Sequence, residues 1–216
     1  MINWTGFATG NLYEIAKQAH DRVSLQPANI PHNDALVAVL FSAATLESFM
    51  SQAVFMAETW SHLHPKIAAF ASFIGELDTK VGASLKTKYN MARWIICGAP
   101  FDQGKLPYQD FDLLVDLRNA ITHLKPDKLS SDKTRKLLSC LKNRNLMPDY
   151  LVSDYDPAIS EQRAIWVHYV STAKVAKWAC NTAAEMIQAF WRDASEDTVK
   201  DIFRIHANAS HYLPIQ

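Results

Sequence analysis

The chain has 216 residues, with 22 basic and 22 acidic side chains, so its formal charge is zero, and 49% of it is apolar. That length can bury a sizeable core, and apolar content near half excludes global disorder. Zero net charge excludes a polycation that coats nucleic acid by bulk attraction, and six glycines are too few for a turn-dense all-β sandwich.

Prolines and glycines punctuate a series of amphipathic segments. The first predicted helix is Asn11 to Val23, ended before Gln26-Pro27. Asn33 to Trp60 is long and mostly apolar, with Asn33 or Asp34 as its expected cap and His62-Leu63-His64-Pro65 closing it. Lys66 to Val81 and Ser84 to Cys97 read as two shorter helices, separated by Gly82 and stopped by Gly98-Ala99-Pro100. Tyr108 to Leu124 follows, with Pro107 at its start and Pro126 beyond its end. Ser131 to Asn145 is a basic helix with Asp132 in its first turn. After a loop from Met147 to Pro157, Ser160 to Ala194 reads as one long helix, and a last one runs from Ser195 to about Ala209. No alternating strand pattern competes. The expected fold is a single all-α domain over 1–216, a helical bundle with additional C-terminal helices.

Cys97, Cys140 and Cys180 are too few and too scattered for a disulfide framework or a zinc site, and each sits in an apolar stretch as a small hydrophobe. Met1 to Gly6 lacks a signal peptide's basic start and apolar core. The most apolar window, Ala35 to Phe55, carries Glu47 and several Ser, Thr and Gln, too polar for a membrane span. A cytoplasmic protein with no membrane partner is expected.

Charge is unevenly spread. From Met1 to Trp60 the net is −3; from Lys125 to Arg144 seven basic residues face only Asp127 and Asp132, a net of +5. Such a run is either a solvated face or a surface that meets phosphates. The chain has no Gly-rich phosphate loop, no His-Glu-x-x-His, no Cys-x-x-Cys and no Gly-x-Ser-x-Gly. His62-x-His64 lacks carboxylate or cysteine companions, so no metal site and no cofactor is assigned.

The remaining signal is Asp116-Leu117-Arg118-Asn119-Ala120-Ile121-Thr122-His123-Leu124-Lys125-Pro126. On a helix, Phe111, Leu114, Leu117, Ile121 and Leu124 share one apolar arc. Asp112, Asp116, Asn119 and His123 form a polar stripe. Arg118 falls on the edge of the apolar arc, where its fixed charge needs a partner. A second Arg-x4-His, Arg163 to His168, lacks the following Asn and sits among Trp and Val, a coincidence of spacing.

Arg118-Asn119-x-x-x-His123 resembles the Arg-x4-6-His signature of the HEPN superfamily (higher eukaryotes and prokaryotes nucleotide-binding domains), and Ala43 to Phe49 with its embedded Glu47 resembles an apolar helix of those domains. Ser51 stands where members often carry Asn. The resemblance spans roughly Asn11 to Pro126, marking 9–126 as a HEPN-like core and 127–216 as a basic helix plus long C-terminal helices. It implies metal-independent endoribonuclease chemistry: a ribose 2′-hydroxyl attacks its own phosphodiester and leaves a 2′,3′-cyclic phosphate, as in toxins or antiviral-defence effectors. The residue types suit that chemistry. Arg118 offers a planar, always-charged fork for a phosphate. An imidazole such as His123 exchanges protons near neutral pH, and Asn119 both donates and accepts. Glu47 and Asp116 would support them, and Lys125, Lys128, Lys133, Arg135 and Lys136 would bind RNA.

Residues five apart on a straight helix diverge by about 140°. Convergence of Arg118 and His123 therefore needs a distorted helix end or a homodimer that pools two motifs in one cleft, which the resemblance favours. Two other readings stay open: a non-catalytic HEPN-like interaction module in which Arg118 makes a structural ion pair, for instance with Glu47 or Asp116, and a nucleotide- or RNA-binding module working beside a separate nucleotidyltransferase or kinase partner. An antitoxin or other partner protein is also among the expected partners.

Overall fold

The computed structural model describes residues 8–27, 30–123, 132–147, 165–194, 196–206 and 212–216. Among them every regular element is helical: nine α-helices, one 3-10 turn and one π turn, with no strand. The readings of Met1 to Gly6, the loop 148–157 and Arg163 lie outside the described residues.

Helix α1 is Ala8–Ser24 and α2 is Asn33–Trp60. The expected cap of α2 is corrected: His32 occupies the N-cap position in extended geometry, with no side-chain cap bond. Its backbone N–H instead donates to Ser171 O at 2.9 Å, so a tertiary contact fixes the chain's entry into the helix. By length and composition α2 with its following turn could cross a membrane, at mean hydropathy 1.4, but 56% of that apolar window is buried inside the bundle.

The Lys66 to Val81 segment divides. Pro65–Glu76 is α3 and Leu77–Val81 is a π turn that ends on Gly82 at φ +62°. Helix α4, Leu85–Cys97, is capped by the Ser84 hydroxyl, which accepts from Thr87 N, and it ends on Gly98 at φ +80°. Both glycines adopt the left-handed conformation that closes a helix without a Cβ penalty. Helix α5, Tyr108–Thr122, and α6, Asp132–Asn143, complete the first set. After α6, Asn145 takes φ 55° and Leu146 N–H donates to Leu141 O, a turn that asparagine tolerates.

The single helix expected over Ser160 to Ala194 is also corrected. Its described part is two helices, α7 at Ile165–Val170 and α8 at Ala173–Arg192, joined through Ser171 and Thr172. Thr172 is extended and its hydroxyl accepts from Val175 N, while Ser171 gives its carbonyl to His32. Helical propensity ran on across this point, but two local hydroxyl bonds and the docked α2 entry divide it. Helix α9 is Asp197–His206.

Helix α2 is the central element, packed most extensively on α1 and α8 and further on α3, α5 and α9. The core is aromatic where helices cross. Phe190 of α8 is fully buried and meets Phe49 edge-on at 5.7 Å, Phe70 at 6.0 Å and Tyr89 at 6.3 Å, joining α2, α3 and α4 around one ring. Helices from 9–126 and from 127–216 thus share one core. Among the tryptophans, Trp166 is buried, but Trp94 is 55% exposed and does not anchor the core. Cys180 is buried; Cys97 and Cys140 are only partly so.

Helix α6 is fixed through a polar anchor. Arg144 Nε donates to Asp110 Oδ1 at 2.6 Å, and Trp178 Nε1 donates to Asp110 Oδ2 at 2.9 Å. The carboxylate thereby ties α5 to α6 and α8, with its side chain 17% exposed. Asp110→Ala leaves both donors without an acceptor and is expected to lower stability by roughly 1.5–3 kcal/mol, the scale of a hydrogen bond to a charged group, read as a shift in urea midpoint.

Candidate active site

The motif occupies the C-terminal end of α5 and faces α2. Arg118 Nη2 donates to Glu47 Oε1 at 2.6 Å and Nη1 donates to Asn119 Oδ1 at 2.9 Å. Leu114 and Leu117 turn the same side of α5 into the core, so the guanidinium emerges at the rim of that packed face, as its place on the apolar arc implies. The Arg118 side chain is 30% exposed and that of Glu47 is 44% exposed. At this exposure the pair contributes at most about 1 kcal/mol to stability. It orients the fork more than it holds the helices together.

Glu47 is positioned from below. Tyr89 of α4 is fully buried, and its hydroxyl donates to Leu46 O at 3.1 Å, on the α2 turn that carries Glu47. Burial first, then Tyr212 and Glu47, hold that phenol far above its ordinary range, so it stays a donor. The Tyr89 ring packs on Phe111 at 4.8 Å, which links α4 to the motif helix. Tyr89 lies outside the motif; its place at helical spacing in an apolar α4 signals only a core residue.

His123 is the C-cap of α5, exposed, with φ −112° and ψ 34°. Its N–H still donates to Asn119 O at 3.0 Å, so its Cα completes the last turn before the chain departs. The Thr122 hydroxyl donates back to Arg118 O at 3.0 Å and secures that turn. Among the described residues no hydrogen bond or ion pair joins His123 to Arg118. The i→i−4 bond from His123 N–H keeps its Cα on the last turn of α5, so the two side chains of one chain keep the divergence of a helical five-residue spacing.

Of the two carboxylates, Glu47 pairs with Arg118 and Asp116 pairs with Lys86. Lys86 Nζ lies 2.6 Å from Asp112 Oδ1 and 2.7 Å from Asp116 Oδ1, on the side of α5 that meets α4. Burial lowers the Lys86 pKa, but the two carboxylates outweigh it and hold it above its usual range. The polar stripe therefore splits. Asp112 and Asp116 serve a lysine clamp, while Asn119 serves Arg118.

Lys125 and Lys128 lie outside the described residues, as does the Lys133 side chain, although Lys133 belongs to α6. Arg135 and Lys136 are exposed on α6, opposite Leu137, Leu138 and Leu141, which are buried. Arg144, one residue past α6, bonds to Asp110 near the start of α5, where the two helices meet.

His64 serves structure. Its Nδ1 accepts from Lys66 N at 3.1 Å as the cap of α3, and its Nε2 meets Glu196, which also pairs with Lys66 Nζ at 2.8 Å. Among the described residues no group of three His, Cys, Asp or Glu could hold a metal ion. Comparison with known proteins finds no family model, curated protein or solved structure that matches the chain.

Proposed function

We propose that the chain is a HEPN-type, metal-independent endoribonuclease acting as a homodimer, with Arg118, Asn119 and His123 as its reacting set. The observation that carries this reading is the partly exposed Arg118 fork, held by Glu47 and Asn119 at a helix end where His123 is solvent-open. Neither side chain is walled off in the core.

In this reading two copies bring their α5 ends together. One His123 imidazole removes the 2′-hydroxyl proton; O2′ bonds to phosphorus and the P–O5′ bond breaks. The imidazolium of the second copy returns a proton to O5′, leaving a 2′,3′-cyclic phosphate and a 5′-hydroxyl. Arg118 meets the charge on the non-bridging oxygens, and Glu47 and Asn119 keep its fork planar to the groove. Arg135 and Lys136 extend the cationic surface along α6.

A second reading is a non-catalytic interaction module of the same fold. The observation behind it is that both terminal nitrogens of Arg118 already have protein acceptors, as in a structural ion pair. The two separate in one assay. Purified protein in excess EDTA is expected to cleave single-stranded RNA and to leave 2′,3′-cyclic phosphate ends, detected by mass spectrometry of the fragments. Intact RNA, or cleavage that stops with chelator, rejects the nuclease assignment.

A further inference from the structure

Residues Tyr212–Gln216 have no regular structure, yet they lie docked across α1 and α8 by bonds from helix side chains to their main chain. Tyr13 Oη of α1 donates to Leu213 O at 2.7 Å, and Gln188 Nε2 of α8 donates to Tyr212 O at 2.8 Å. The Asn181 side-chain amide pairs with both polar groups of one residue: its Nδ2 donates to Ile215 O at 3.2 Å and its Oδ1 accepts from Ile215 N at 2.6 Å. Side-chain amides and a phenol therefore read main chain, which is how extended peptides are held whatever their side chains.

One side chain supplies the anchor. Tyr212 is 2% exposed, with its ring 5.5 Å from Tyr13 and 6.4 Å from Phe49 and its hydroxyl bonded to Thr9. Burial pushes that phenol up to about 12, with the Thr9 bond opposing, so it remains neutral. Leu213, by contrast, is 60% exposed. Pro214 fixes its own φ and biases Leu213 towards extended backbone, so the segment enters with little conformational entropy left to lose.

The geometry points to a peptide-recognition furrow between α1 and α8, built for an extended segment with an aromatic anchor and a proline two residues on, and filled in cis by Tyr212–Gln216. Four main-chain bonds and one buried ring make a contact of modest intrinsic strength. Attachment through 207–211 keeps the segment in place because tethering supplies an effective concentration on the order of millimolar. A separate peptide of the same chemistry displaces it once that tether is cut. The furrow adjoins the α2 turn of Ser48, whose hydroxyl lies 2.7 Å from Thr9 Oγ1, but it is independent of the RNA reading and is tested without RNA.

The test uses the full chain with a protease site placed within 207–211, cut after purification. A fluorescent peptide of residues 210–216 is expected to bind the cut chain saturably by anisotropy. Tyr212→Ala in the peptide, or Asn181→Ala in the protein, is expected to weaken it at least tenfold. No saturable binding to a cut chain of native helical signal, or equal binding of a scrambled peptide, overturns the proposal. If cutting unfolds the chain, hydrogen exchange on the intact protein decides. Asn181→Ala selectively accelerating the Ile215 amide, with α2 amides unchanged, supports the furrow, and an unchanged Ile215 amide overturns it. Dimerisation of the intact chain that vanishes with Tyr212→Ala assigns the occupant to a second copy and overturns the cis assignment.

Discussion

His123→Ala is expected to slow RNA cleavage by roughly 10²–10⁴-fold, the range that a positioned general acid–base group supplies. The imidazole is exposed at the last turn of α5 and its backbone, not its ring, closes that turn through Asn119 O. Its removal should therefore leave stability within about 0.5 kcal/mol of the parent, because the C-cap bond is a backbone one that alanine keeps. Arg118→Ala should slow cleavage by roughly 10²–10³-fold, the effect of deleting one donor to transition-state charge. Its stability cost is bounded near 1 kcal/mol by the exposure of the Glu47 pair. The two substitutions together separate the readings. Unchanged cleavage in either variant sinks the reacting set, and an Arg118→Ala chain that loses several kcal/mol with no RNA phenotype assigns the guanidinium to the fold.

Phe190→Ala is expected to cost about 3–5 kcal/mol of stability, because a fully buried ring leaves a cavity that its neighbours cannot fill. Phe49, Phe70 and Tyr89 each lose an aromatic partner, and they come from three different helices. A domain's whole stability is about 5–15 kcal/mol, so this variant sits near its unfolding midpoint at modest urea. Equilibrium unfolding followed by circular dichroism measures it, with the slope unchanged if the denatured state is unaltered. Trp94→Ala is the control: a larger ring, 55% exposed, whose loss should move stability by less than about 0.5 kcal/mol. A midpoint shift in Trp94→Ala equal to that of Phe190→Ala would refute the assignment of Phe190 as the packing centre.

The amino-acid order alone determined the all-helical class, the C-terminal limit of α2, and the breaks at Gly82, Gly98 and Pro107, since apolar periodicity and backbone chemistry act over a few residues. It also placed Arg118 at the margin of a buried arc, which required a carboxylate and marked Glu47 as one of two choices. Tertiary packing decided between them. Glu47 on α2 reaches the guanidinium, while Asp116, only two residues away in sequence, lies on the α4 side and is taken by Lys86. Packing likewise ended the run expected to continue through Ser171, because that carbonyl is claimed by the entry to α2, 139 residues earlier at His32. The docking of Tyr212–Gln216 left no periodic signature at all, because its bonds run from side chains of α1 and α8 to bare main chain. Local patterns encode which face of a helix is apolar; which distant atom that face meets is fixed only when the helices are assembled.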